Sequence, residues 1–80
     1  MTKDEINTLE AFLRKRFGNP KIEVRLRMQA GKSKQIADSA EVYIGKADED
    51  FLGVIYREEE DGELSYQFQM AILDIDLEDV

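Results

Sequence analysis

Apolar positions in this chain follow a helical period up to Phe17 and an alternating one after Pro20. Ile6, Leu9, Leu13 and Phe17 recur at helical spacing on one face, with Phe12 beside Leu13. Thr2 and Glu5 have the spacing of a capping box, and Asp4 adds a second acid to the first turn, where the helix dipole favours negative charge. Arg14, Lys15 and Arg16 suit the opposite end of that dipole. Gly18 can adopt the left-handed conformation beyond the last turn, and Pro20 prevents continuation. The pattern predicts a helix over Lys3–Phe17.

Lys21 to Met28 alternates strictly, with Ile22, Val24, Leu26 and Met28 on one side and Glu23, Arg25 and Arg27 on the other. Residues 29–38 have no period and contain Gly, Ser and Lys, which predicts a mobile loop. Ala40, Val42 and Ile44 alternate with Glu41 and Tyr43 in a second strand, and residues 45–50 form a polar connection. Phe51 to Arg57 is apolar on both parities, as in a strand covered on two faces. Asp61-Gly62 is a hairpin turn signal. Leu64, Tyr66, Phe68, Met70 and Ile72 then alternate with Ser65, Gln67, Gln69 and Ala71. At Ile72-Leu73 the phase slips toward Leu73, Ile75 and Leu77, which fits either a bulge or a short terminal helical turn. The residues from 74 to 80 form an acidic tail.

One helix followed by four closely linked strands predicts a single α+β domain over residues 1–80. An N-terminal helix would pack on a four-stranded antiparallel meander sheet, in the order α-β-β-β-β. The expected core takes Ile6, Leu9, Leu13 and Phe17 from the helix. From the sheet it takes Ile22, Val24, Leu26, Val42, Ile44, Leu52, Val54, Tyr66, Phe68 and Met70.

Composition narrows the chemistry. The chain has no cysteine, histidine or tryptophan. That removes disulfides, thiolate metal sites, the usual general base and the usual nucleophile. An enzyme would have to work with carboxylates, Lys or Tyr alone, so a non-enzymatic role without cofactor or metal is expected. No apolar run follows Met1, and none approaches the roughly 20 residues needed to span a bilayer. A cytoplasmic location without membrane association is expected.

Charge is sorted along the chain. Residues 14–34 carry eight basic residues and one acid, a balance of +7, whereas residues 35–80 carry fourteen acids and two bases, a balance of −12. The basic block admits two readings. Arg14, Arg16, Lys21, Arg25, Arg27, Lys32 and Lys34 could neutralise nucleic-acid phosphates, with Tyr43 as a stacking aromatic. Alternatively, Arg25 and Arg27 pair across strands with Glu41, and the helix-end cations answer the dipole. The net charge of −7 opposes the first reading, because acids within a Debye length of about 10 Å repel the same phosphates. The acids at 48–50, 58–61 and 74–79 match no calcium-loop pattern, so solvated turns and a solubilising tail are expected.

The stretches Leu13–Pro20 (LRKRFGNP), Asp38–Gly45 (DSAEVYIG) and Phe68–Leu77 (FQMAILDIDL), with Phe51-Leu52-Gly53-Val54 and Asp61-Gly62 between them, span nearly the whole chain. In these the sequence resembles a family of short uncharacterised alphaproteobacterial proteins. The resemblance implies a bacterial cytoplasmic domain and brings no catalytic residue or ligand to carry over.

The function expected is protein interaction, with a protein partner or a second copy. The contact would be the sheet face away from the helix, which displays Tyr43, Phe51, Ile55, Gln67, Gln69 and Ala71; it is centred on Tyr43, Ile55, Gln67 and Gln69 and rimmed by Arg25 and Arg27. Cover of that face by Leu73, Ile75 and Leu77 is the competing expectation. In the homodimer version, the basic strand of one copy meets an acidic edge of the other. The alternative is nucleic-acid binding through Arg14, Arg16, Lys21, Lys32 and Lys34.

Overall fold

The computed structural model describes residues 1–28, 35–45, 50–70, 72 and 74–78. Helix α1 spans Lys3–Phe17. Its start is held reciprocally: Glu5 N–H donates to Thr2 Oγ1 at 3.1 Å, and Thr2 N–H donates to Glu5 Oε1 at 3.0 Å. At its end Gly18 takes φ 63°, and Asn19 N–H reaches back to the Arg14 carbonyl at 3.0 Å. Both ends therefore form as the sequence predicts, because capping depends only on residues within one turn.

Strands β1 (Ile22–Met28), β2 (Gln35–Ile44), β3 (Phe51–Glu60) and β4 (Glu63–Met70) follow, then a 3₁₀ turn at Asp74–Leu77. The sheet order is β1-β2-β3-β4, every pair antiparallel, with α1 on one face. This is the expected helix-on-meander architecture, and of the two endings left open it is the helical turn that forms. Some strand boundaries differ: β3 runs past Arg57 to Glu60, and β4 ends at Met70, short of Ile72. β2 begins at Gln35, inside the aperiodic stretch read as a loop over 29–38. Met28 pairs with Gln35, but Leu26 pairs with Ala40, so several residues of β2 oppose Arg27 alone. That irregularity, with Asp38 at φ 56°, breaks the alternation that would have marked the strand.

The parity of β3 is the main correction. Val42 pairs with Gly53, whereas the next residue, Tyr43, pairs with Phe51, so Leu52 is an extra residue in the strand. Beyond this bulge Ile55 lies between Ala40 and Phe68 on the helix side and is 2% exposed. Val54 takes the other face, between Glu41 and Gln69. Ile55 is thus a core residue and not part of an outer contact face, and Val54 exchanges places with it. The hairpin explains why. Asp61 and Gly62 have φ 53° and 80°, the two positive values of a type I′ turn. A two-residue turn pairs Glu60 with Glu63 and therefore Ile55 with Phe68, and β4's own alternation leaves no doubt which way Phe68 points.

The buried core is Ile6, Leu13, Ile22, Val24, Ala40, Val42 and Ile55, with Leu9, Leu26, Leu52, Tyr66 and Phe68 packed around it. The helix packs chiefly against β1. Its cover thins toward β4, which is why two expected core residues, Phe17 and Met70, remain 56% and 51% exposed. The Phe17 ring still meets Phe68 edge-on, with centroids 6.4 Å apart.

Candidate contact face

The sheet face away from the helix is built in registered rows. Glu23, Tyr43 and Phe51 form one; Arg25, Glu41, Val54 and Gln69 form the next; Ser39, Tyr56 and Gln67 form a third. The bulge at Leu52 places Phe51 beside Tyr43. Their rings meet edge to face, 5.5 Å apart at 71°. The Arg25 guanidinium lies 3.9 Å from the Tyr43 ring centroid, and its Nε donates to Glu23 Oε1 at 2.9 Å. A cation, a phenol ring and a phenyl ring thus stack diagonally across three strands. Each contact pre-sets the next, and Phe51 keeps 44% of its surface open. A cation–π contact at such a site contributes about 0.5–1 kcal/mol.

Of the sequence-predicted contact residues, the fold brings Arg25 and Tyr43 together. Arg27 is half-buried further along β1 on the same face, and Gln67 and Gln69 are exposed two strands from Tyr43, on β4. Ile55 is on the opposite face, whereas Phe51 lies on the outer face as expected, beside Tyr43. Arg25 stands in register with Glu41, as cross-strand pairing requires, and forms an ion pair with Glu23 on its own strand at 2.9 Å. Among the described residues of the C-terminal segment, Ile72 and Leu77 are 64% and 57% exposed, so these two side chains do not seal an apolar layer. Leu73 and the side chain of Ile75 lie outside the described residues.

The basic block does not assemble on one face. Arg14 is turned to the edge of β1, where its Nε donates to the Ile22 carbonyl at 2.7 Å and its guanidinium pairs with Glu10 at 3.2 Å. Glu10 in turn accepts the Val24 N–H at 2.9 Å. Arg16 and Lys21 are exposed at the end of α1 and the start of β1, while Arg25 and Arg27 stand on the far side of the sheet. Lys32 and Lys34 lie outside the described residues, as do Asp48 and Glu49. No group of three or more Asp or Glu suited to a metal ion occurs among the described residues.

A second polar cluster had only half a signature in the sequence. Glu5 Oε2 accepts from Arg57 Nε at 3.1 Å and from the Tyr66 hydroxyl at 2.5 Å, while its Oε1 serves the cap. Arg57 also binds Glu59 at 3.0 Å. The Tyr66 hydroxyl bond, then the Thr2 backbone bond, hold the Glu5 carboxyl well below its usual range, at about 2. Tyr66 is pushed up by the same bond to Glu5 and by burial. Burial works against the charge of Arg57, but Glu5, Tyr66 and Glu59 outweigh it and raise its pKa. A carboxylate with three donors is a poor base. The cluster fastens the helix start to β3 and β4. Its helix half was visible as the capping box, and the hairpin register, which sets Arg57 opposite Tyr66, would have supplied the other half.

The described residues include no helix long and apolar enough to cross a membrane. The family model for a protein of unknown function (DUF3126) matches residues 5–76. No curated protein matches the chain, and no solved structure matches it.

Proposed function

The chain belongs to the DUF3126 family, and on that premise we propose that it is a small non-enzymatic protein-interaction domain contacting a protein partner through the outer sheet face. The observation that carries this reading is the Arg25–Tyr43–Phe51 stack. It is a prearranged cation and two aromatic rings on a β-face, bordered by Glu23 and Glu41. Interface centres are enriched in Tyr, Phe and Arg. Rigid side chains of this kind lose little freedom on binding, which favours affinity. The flanking charges would set orientation and on-rate. The setting we propose is the bacterial cytoplasm, on the resemblance noted above and the absence of cysteine.

The test is capture from a bacterial lysate by the wild-type chain, by Tyr43→Ala with Phe51→Ser, and by the helix-side control Thr8→Ala. The captured protein is then purified and titrated against the isotope-labelled chain. Loss of capture in the face variant alone, with amide shifts along residues 23–25, 41–43 and 51, supports the reading. Equal capture by all three chains, or shifts confined to α1, overturns it. The nucleic-acid alternative draws less support, because Arg14 is engaged by Ile22 and Glu10 and, among the described residues, Arg16 and Lys21 lie at the helix end while Arg25 and Arg27 stand on the far side of the sheet. No shift of labelled RNA or DNA at about 50 mM salt would end it.

A further inference from the structure

The two edges of the sheet differ. On β1, the groups that point outward at Ile22 and Val24 are taken by the side chains of Arg14 and Glu10. Those two groups are therefore not free to pair with another strand. On β4 the two-residue turn sets which groups point outward. Glu60 and Glu63 flank the turn and bond to each other's backbone, so Leu64, Tyr66, Phe68 and Met70 direct their N–H and C=O away from β3. β4 is the last strand of the sheet. Exposed edges are usually blunted by Lys, Pro or an inward charge. From Leu64 to Met70 the strand (LSYQFQM) contains none of these, in a chain that is 36% charged.

The side chains along this edge match one another. An antiparallel copy of β4 with its two-fold axis at Gln67 sets Leu64 against Met70, Tyr66 against Phe68, Ser65 against Gln69, and Gln67 against itself. Apolar meets apolar on the helix side, where Leu64 and Met70 are 48% and 51% exposed. Hydroxyl and amide meet amide on the other side. In this register the outward-pointing residues fall opposite one another, as an antiparallel ladder requires. The arrangement also keeps the two acidic hairpins at opposite ends, whereas a parallel pairing would set them side by side. Each hairpin then arrives at the end where the other copy carries the basic last turn of α1. Arg16 shares a helix flank with Glu5, Leu9 and Phe12, and Glu5 holds that flank toward β3 and β4. Asp74 and Glu78 follow Met70 at the same end, so charge governs orientation here more than affinity. We propose that the chain forms a two-fold homodimer by antiparallel β4–β4 pairing centred on Gln67, giving a continuous eight-stranded sheet with both helices on one side. The dimer is independent of the outer-face reading, and it would join two copies of that face into one surface.

The absence of native cysteine makes the register directly testable. At the two-fold axis Gln67 faces its counterpart in a non-hydrogen-bonded pair. Cα atoms in such pairs lie about 4.5 Å apart, within disulfide range. Mild oxidation should cross-link Gln67→Cys into a dimer but not Ser65→Cys or Gln69→Cys, each set four residues, about 13 Å, along the strand from its own counterpart. A mixture of the last two should form a heterodimer. Sedimentation of the unmodified chain should show a concentration-dependent dimer. Leu64→Pro, which removes an outward donor and keeps the ladder to β3, should weaken it. Circular dichroism confirms that variant's fold, and the Tyr66 and Phe68 amides should exchange slowly only in the dimer. Equal cross-linking at all three positions overturns the register. A monomer at every concentration overturns the dimer, whether those amides exchange freely or are protected by the chain's own C-terminal segment.

Discussion

Truncating Ile55 to alanine tests the parity of β3 directly. Ile55 is 2% exposed, between Ala40 and Phe68 in the adjoining strands. The substitution removes three carbons, a transfer loss of about 2.5 kcal/mol at roughly 0.8 kcal/mol per methylene. Its neighbours sit in a paired sheet and can close only part of the space, so the total is about 3–4 kcal/mol. Against a stability of roughly 4–12 kcal/mol for a domain this size, that is a large fraction. The melting temperature should fall by about 12–32 °C. Val54→Ala, on the opposite face beside Glu41 and Gln69, should cost about 1 kcal/mol or less. Urea unfolding followed by far-ultraviolet circular dichroism measures both. The reasoning fails if Val54→Ala costs as much as Ile55→Ala, because the bulge at Leu52 would then not turn the strand over.

Other consequences are equally open to measurement. Glu5 titrates near 2 in the folded chain against 4.5 ordinarily, so its stabilising contribution is complete above about pH 4.5 and is lost as pH falls toward 2. The difference in melting temperature between wild type and Glu5→Gln should therefore shrink with acidification over that range, and a constant gap would contradict the assignment. Gly53→Ala would place a Cβ 2.2 Å from the Gln69 carbonyl oxygen and 2.8 Å from the Phe68 ring, and should cost about 1–3 kcal/mol; a neutral result in chemical denaturation would refute that close approach. A double-mutant cycle of Arg25→Ala and Tyr43→Leu should give a coupling of about 0.5–1 kcal/mol, and none if the guanidinium does not sit on the ring.

The boundaries of the helix, the hairpin and the meander were legible because each depends on neighbours in sequence. A cap needs Thr2 and Glu5; a type I′ turn needs Asp61 and Gly62; an alternating strand carries its own record of two faces. The stretch Gln35–Asp38 carries no strand signal because the irregularity between its pairings, Met28 with Gln35 and Leu26 with Ala40, erases alternation. Phe51–Arg57 was seen as a strand but turned the wrong way, since both of its parities are apolar. There the missing signal was arithmetic across the hairpin, which ties Ile55 to Phe68 without reference to their own surroundings.

What the sequence alone determined, then, is the element order, the caps, the turn and the absence of the side chains most enzymes use. The tertiary structure decided which face each residue serves and with whom. Glu5 announces a cap, but only folding brings it to Arg57 and Tyr66, 52 and 61 residues away. Arg25 and Tyr43 meet because β1 and β2 take one register, and Phe51 joins them because one residue bulges. Glu10 and Arg14 look like an ordinary helical ion pair, yet together they occupy the outward groups of Ile22 and Val24 at one edge of the sheet, while the other edge carries no charge from Leu64 to Met70. The physical reason is common to all of these. Periodicity is a local property that gives each element two faces, while register, bulges and the placement of a helix are long-range choices that assign those faces to core, contact or solvent.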